Sequence, residues 1–269
     1  MRLLNGIIRV EGVGLHSGKE CVLTIEPCDA PEVMMNGVPL RKLRTRGTNR
    51  GSDYIFPSGE EVRTCEHVLS ALYGTGIYSG VRVNVDGGEM PAIDGCSSFL
   101  IGEILSNSCE DGHEVPSLEV REPVIVSNDD RTRFVAAFPD TCFHVTYTVE
   151  YEKVGAEVYD YAHTTANYVN DIAGARTFAL ERDIEYLRSH GMALGGTLDN
   201  AIVIGDTIHA KGGLRWPNEF VRHKVLDLIG DLASLGRPLN AHIIAMRAGH
   251  ELHLKLTERL KEETGIARD

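Results

Sequence analysis

The 269-residue chain carries 27 Lys+Arg against 39 Asp+Glu, a formal net charge of −12 that argues against a nucleic-acid partner, whose binders present basic faces. With 42% hydrophobic and 6% aromatic residues it is ordinary globular material, long enough to bury roughly 70–75% of its unfolded surface, and this excludes disorder, collagen and coiled coil. No apolar run approaches the ~20 residues of a membrane span and the N-terminal residues are soon polar, so a soluble, unprocessed chain without stable membrane insertion is expected. Six cysteines, at 21, 28, 65, 96, 109 and 142, form no C-x-x-C pair, which points to free thiols in a reducing cytoplasm.

The length suits two domains, and the polar, turn-rich stretch 106–116 is the natural divide, giving units 1–110 and 117–269. In the first half, 21–26 and 81–85 alternate as strands do, while 64–73 and 97–105 have helical spacing. In the second, 133–138, 143–151, 201–204 and 241–246 read as strands, and 183–189 and 251–262 as helices. The clearest helix starts with Asn218 as cap after Pro217, repeats apolar residues at Val221, Val225, Leu228, Leu232 and Leu235, and stops at Gly236 and Pro238. The halves share an order of elements without a residue-level repeat. Arg41, Lys42, Arg44, Arg46 and Arg50 form a basic run, either a solvated hairpin or a positive rim for an anionic substrate.

Along the capped helix, His223, Asp227 and Asp231 stack at i, i+4 and i+8 on a face apart from the apolar stripe. An imidazole and a carboxylate one turn apart can share a small cation such as zinc. At 64–69, Thr64 as cap places Glu66 and His67 in a first helical turn. His67, His223 and Asp227 would then supply three ligands, with Glu66 taking the proton of an attacking water. Against this, Glu66 can simply complement the helix dipole and His67 can be an ordinary half-buried histidine. His250, presented by Gly249 and oriented by Asp231, would be the matching acid. The metalloprotease pattern H-E-x-x-H is absent. Gly12-Val13-Gly14-Leu15-His16-Ser17-Gly18 lacks the ending of a phosphate loop and reads as a tight turn, with His16 structural or at a rim.

These residues resemble the UDP-3-O-acyl-N-acetylglucosamine deacetylases, zinc amidases that commit the cell to lipid A synthesis. The resemblance runs nearly end to end. It is carried by the 12–18 turn, Thr64-Cys65-Glu66-His67, Glu89-Met90-Pro91-Ala92-Ile93-Asp94-Gly95, Ala175-Arg176-Thr177-Phe178, Arg182-Asp183-Ile184-Glu185-Tyr186-Leu187, Leu194-Gly195-Gly196, the stretch from Asn218 through His223-Lys224 to Asp227, and Gly249-His250. It implies an α+β fold of two similar domains, each a sheet packed on helices, with the helices sandwiched between outer sheets. It also implies Zn2+ (Fe2+ would suit the same ligands) on His67, His223 and Asp227, with Glu66 as base and His250, held by Asp231, as the protonated partner. Thr177 is implied at the oxyanion, and Lys224 and Phe178 against a UDP-linked acylated N-acetylglucosamine. A first-domain insertion near 33–63 and an apolar acyl passage near 178–213 complete the pattern, in a chain expected to act as a monomer. The sequence departs from the family in the short, basic character of 33–63, in a poor match between 151 and 168, and in Ala193, where some members have cysteine. Two alternatives are a zinc hydrolase of another N-acylated sugar and a non-catalytic zinc protein with Cys65 as fourth ligand.

Overall fold

Glu20–Pro27 and Val81–Asp86 alternate buried and more exposed side chains, as strands with one wet face do. The computed structural model, which describes residues 1–48 and 50–266, sets them in the first of two large sheets. Its spatial order is Ile8–Val13, Glu20–Pro27, Val81–Asp86, Met34–Met35, Val38–Pro39. The second runs Val124–Ser127, Phe134–Pro139, Leu239–Met246, Phe143–Tyr151, Gly155–Ala162, with Leu118–Glu119 also paired to Leu239–Met246. Counted along each half, both sheets place the strands in the order first, second, fifth, third, fourth. The pairings match as well: the fifth strand is parallel to the third, and the other neighbours are antiparallel.

The helices are α1 (Glu66–Gly74), α2 (Ser98–Ser106), the single turn α3 (Thr165–Asn167), α4 (Glu181–Ser189), α5 (Glu219–Leu232) and α6 (His250–Thr264). In each half one helix precedes the fifth strand, α1 or α5, and one follows it, α2 or α6. The repeated unit is interrupted at the same point in both halves, between the fourth strand and α1 or α5. The first insertion is an antiparallel sheet of Arg44–Gly47, Ser52–Ile55 and Glu61–Val62. The second holds α3, α4 and a sheet of Phe178–Leu180, Ile202–Ile204 and Ile208–His209. The expected α+β class with two similar sheet-and-helix layers is thus the one observed. No helix among the described residues is long and apolar enough to cross a membrane.

Every residue of α1 is buried, because this helix lies between layers rather than on a surface. It crosses α5 so closely that a Cβ on Gly230 would sit 2.0 Å from the Glu66 carbonyl oxygen. Ser70 Oγ reinforces the crossing by donating to the Leu226 carbonyl at 2.8 Å. Gly230→Ala must therefore push the two helices apart, and a loss of more than about 2 kcal/mol is expected in urea unfolding. A loss below about 0.5 kcal/mol would show that the crossing is loose.

The far end of α1 meets the second sheet, where the His163 ring packs among Tyr73, Phe143, Tyr161 and Tyr168. Burial pushes its pKa down from 6.5 to about 4. Above pH 6.5 the ring is neutral folded or unfolded and costs nothing. As pH falls from 6.5 toward 4 the unfolded chain takes up the proton first, so stability drops, by roughly 3 kcal/mol in the limit. His163→Leu should flatten that part of the stability curve, and an unchanged slope would acquit His163.

Of the two expected helix caps one is corrected, and the other holds its position without a capping side-chain bond. Thr64 does not cap α1, since Cys65 occupies that position; Thr64 sits at φ 57, a left-handed conformation unusual for a β-branched residue, and its hydroxyl donates to Glu89 Oε1 at 3.2 Å. Asn218 does precede α5, but its Oδ1 accepts from Arg222 Nε at 2.8 Å instead of capping backbone N–H groups. Gly236 ends the following turn at φ 67, as expected of a helix stop.

Candidate active site

The α1–α5 crossing sets the site. On α5, His223 and Asp227 stand one turn apart with His223 Nε2 3.3 Å from Asp227 Oδ1, and α1 brings His67 Nε2 to 3.6 Å from the same oxygen. Side chains of His67, His223 and Asp227 thus offer two nitrogens and an oxygen within 4.8 Å of one another, a group able to hold a metal ion. Asp227 Oδ1 is buried without a hydrogen-bond partner, a costly state for a carboxylate oxygen unless a cation completes it. The other oxygen, Oδ2, accepts from Lys224 Nζ at 2.8 Å. His223 Nδ1 bonds the Ala175 carbonyl at 3.0 Å, which leaves Nε2 facing the group, the usual arrangement of a ligating imidazole. Burial holds the His223 pKa down at about 3, so this ring is neutral and ready to ligate.

Glu66 and His250 flank this group. Glu66 is buried, its Oε2 accepts from the Ser52 N–H at 2.9 Å, and burial raises its pKa above the usual carboxylate value. His250 opens α6 after Gly249, with Nε2 3.5 Å from Asp227 Oδ2 and Nδ1 2.9 Å from Asp231 Oδ2. Burial opposes its charge, as does a helix N-terminus. Asp231, Asp227 and Glu66 outweigh both and raise its pKa to about 9.

Glu66, His223, Asp227 and His250 line one cavity of about 400 Å³, together with Thr177, Phe178 and Lys224. Lys224 Nζ lies 5.5 Å from the centre of the Phe178 ring, whose edge contacts reach His223 and Tyr151. Thr177 and Phe178 are placed by Arg176, which forms a buried bidentate pair with Glu219 at the start of α5 and bonds the carbonyls of Lys211 and Gly213. The insertion is thereby pinned to the helix that carries His223. Beyond Phe178 the cavity wall turns apolar, through Leu180, Ile184, Ala193, Leu198 and Val203.

No motif points to Ser52, whose Oγ donates to Asp231 Oδ1 and lies 3.2 Å from His250 Nδ1. It sits on the basic hairpin, which thus forms one wall of the site. His253 was also unforeseen; its Nδ1 shares Asp231 Oδ2 at 2.8 Å and its Nε2 bonds Tyr147 OH. Glu89 accepts from the N–H groups of His16 and Ser17, fixing the glycine-rich turn so that His16 stands at the cavity rim. A single sequence signals neither Ser52 nor His253, and it shows Glu89 only as part of a family motif without a role, because each acts through backbone or through a distant element. Of the basic run only Arg50 reaches the cavity, paired with Asp183 at 2.7 Å, while Arg41 and Arg46 pair with acids outside it. Cys65 Sγ turns to the Val62 carbonyl at 3.3 Å and is not among the grouped ligand atoms, contrary to its candidacy as a fourth ligand.

A model of the UDP-3-O-acyl N-acetylglycosamine deacetylase family matches residues 2–262. The chain belongs to this deacetylase family. Among relatives named UDP-3-O-acyl-N-acetylglucosamine deacetylase, the protein of Chlamydia muridarum is 34% identical over 97% of this chain and 94% of its own length. The deacetylase of Aquifex aeolicus is 35% identical over 96% and 92%. That of Acidithiobacillus ferrooxidans is 37% identical over 96% and 89%.

Proposed function

We propose that this deacetylase hydrolyses the N-acetyl group of UDP-3-O-acyl-N-acetylglucosamine, giving acetate and the free amine for lipid A biosynthesis, with Zn2+ held by His67, His223 and Asp227. The observation that carries this reading is Asp227 Oδ1, buried and unpartnered between two imidazoles, with Glu66 and His250 on either side. A divalent ion there supplies a Lewis acid that polarises the amide carbonyl and acidifies the attacking water. Fe2+ would suit the same donors. Glu66, aimed by the Ser52 N–H, takes the water's proton as the new C–O bond forms. Thr177 and the charged His250 face the developing oxyanion, and His250 delivers its proton to the nitrogen as the C–N bond breaks. Asp231 keeps His250 charged and oriented.

Lys224 and Phe178 contact the sugar and nucleotide, and the apolar wall within 178–213 receives the acyl chain. Residues 1–110 and 117–269 form the two domains, a division supported by the strand Ser108–Glu110, which pairs back to Arg2–Leu4. All proposed groups come from one chain, as a monomeric enzyme requires. Six unpaired cysteines suit a cytoplasmic setting, and the net charge of −12 suits no nucleic acid.

The test is acetate release from UDP-3-O-acyl-N-acetylglucosamine by zinc-loaded and chelator-stripped protein. Turnover is expected only from the loaded form, with return on adding Zn2+. No turnover from folded, zinc-loaded protein would shift the substrate to another N-acylated sugar.

A further inference from the structure

A second group of ligand atoms lies on the outer face of the second sheet, on the side away from α5 and α6. Along Phe143–Tyr151 the residues 143, 145, 147 and 149 are buried toward the helices, so His144 and Thr146 point outward. Register places His144 directly opposite His242 on the parallel neighbour, and Thr146 opposite Asp160 on the antiparallel one. The two imidazoles stack with ring centres 4.3 Å apart. Asp140, in the turn entering the strand, brings its Oδ2 to 4.0 Å from His144 Nδ1.

Hydrogen bonding around these rings fixes where their protons are. Thr146 Oγ1 donates to Asp160 Oδ1 at 2.7 Å, so its lone pair faces His242 Nε2 at 2.8 Å and must accept a proton from it. His144 Nε2 lies 2.9 Å from Asp160 Oδ1 and donates there. Each neutral ring therefore keeps its proton on Nε2 and an open lone pair on Nδ1. Asp140 Oδ1 is engaged by the N–H groups of Thr141 and Cys142, which leaves Oδ2 available. At 4.0 Å Asp140 and His144 are too far apart for a hydrogen bond, and ligand bonds of about 2.0–2.2 Å at a tetrahedral angle would draw the two atoms in to about 3.4 Å. One ligand atom each from Asp140, His144 and His242 falls within 4.8 Å of the others.

We propose that Asp140, His144 and His242 form a second, surface metal site for a divalent first-row ion of zinc type. Two nitrogens and one oxygen suit such an ion, and the partial exposure of the group leaves water to complete the shell. Asp160 is the outer carboxylate that orients His144 directly and His242 through Thr146, the part that supporting carboxylates play for ligating imidazoles. Bound there, the ion would clip the 140–142 turn to the central strand pair of the sheet. The inference is independent of the deacetylase reading, since it uses no residue of that site.

The test is equilibrium dialysis of the zinc-loaded protein against graded Zn2+, with bound metal counted by mass spectrometry. A second equivalent is expected. His144→Ala or His242→Ala should abolish it while acetate release and melting temperature without added zinc stay as in the parent protein, and Asp160→Asn should weaken it about ten-fold or more. Mg2+ should not compete, because it prefers oxygen ligands. Uptake of only one equivalent across the titration would overturn the proposal, as would a second equivalent retained in both histidine variants or displaced by Mg2+.

Discussion

Glu66→Gln is expected to lower acetate release by about 10²–10⁴-fold with metal content unchanged. The amide keeps the shape of the side chain and an oxygen for the Ser52 N–H, so the wall of the site stays in place. It cannot take a proton. His67, His223 and Asp227 are untouched, and zinc should still be counted at one equivalent in the buried group. Folding stability should hold or rise, since burial disfavours the carboxylate charge that the substitution removes. Loss of metal along with turnover would recast Glu66 as a support of the ligands, and near-parent turnover would remove it from the chemistry.

Asp231→Asn should cut turnover on the order of 10²–10³-fold and also destabilise the fold by about 3–5 kcal/mol. One oxygen of this fully buried carboxylate receives both His250 and His253, and the other receives Ser52. Asparagine can keep its one acceptor oxygen toward the two imidazoles only by turning its NH2 donor toward Ser52 Oγ, which then can no longer donate there. It also removes the charge that does most to hold the His250 proton against burial. His253→Gln separates the two effects: it should cost stability, because His253 is fully buried and bonded at both nitrogens, while turnover changes far less. An Asp231→Asn protein that is less stable yet turns over normally would make Asp231 structural and leave His250 without its orienting partner.

Much of the site was readable because α5 obeys a simple rule. A helix displays its residues at fixed angles, so spacing alone puts His223, Asp227 and Asp231 on one line. The pairing of that line with Glu66 and His67 rests on residue types alone until the family resemblance supports it, since nothing local in either helix says that they cross. The strand Gly155–Ala162 went unread because its exposed outer face carries Ala156, Val158 and Asp160, which blurs the polar–apolar alternation. The Thr64 cap failed for a physical reason too: its side chain found a partner in Glu89 that is decided by tertiary structure, whereas Asn218 holds the expected cap position of α5 with its side chain turned to Arg222 one turn on. Ser52 belongs to a hairpin whose basic composition suggests solvent or a positive rim, and nothing in that composition marks the small hydroxyl that reaches Asp231.

The matching strand order of the two halves gives the cavity a particular kind of asymmetry. α1 and α5 occupy equivalent places in a doubled plan, and the site lies where these two equivalent helices cross. Had both copies kept the same side chains, the seam would present every group twice. Instead the labour is divided: one half contributes Glu66 and His67, the other His223, Asp227, Asp231 and His250. On the proposed roles neither half holds a complete set, and the chemistry belongs to the seam alone.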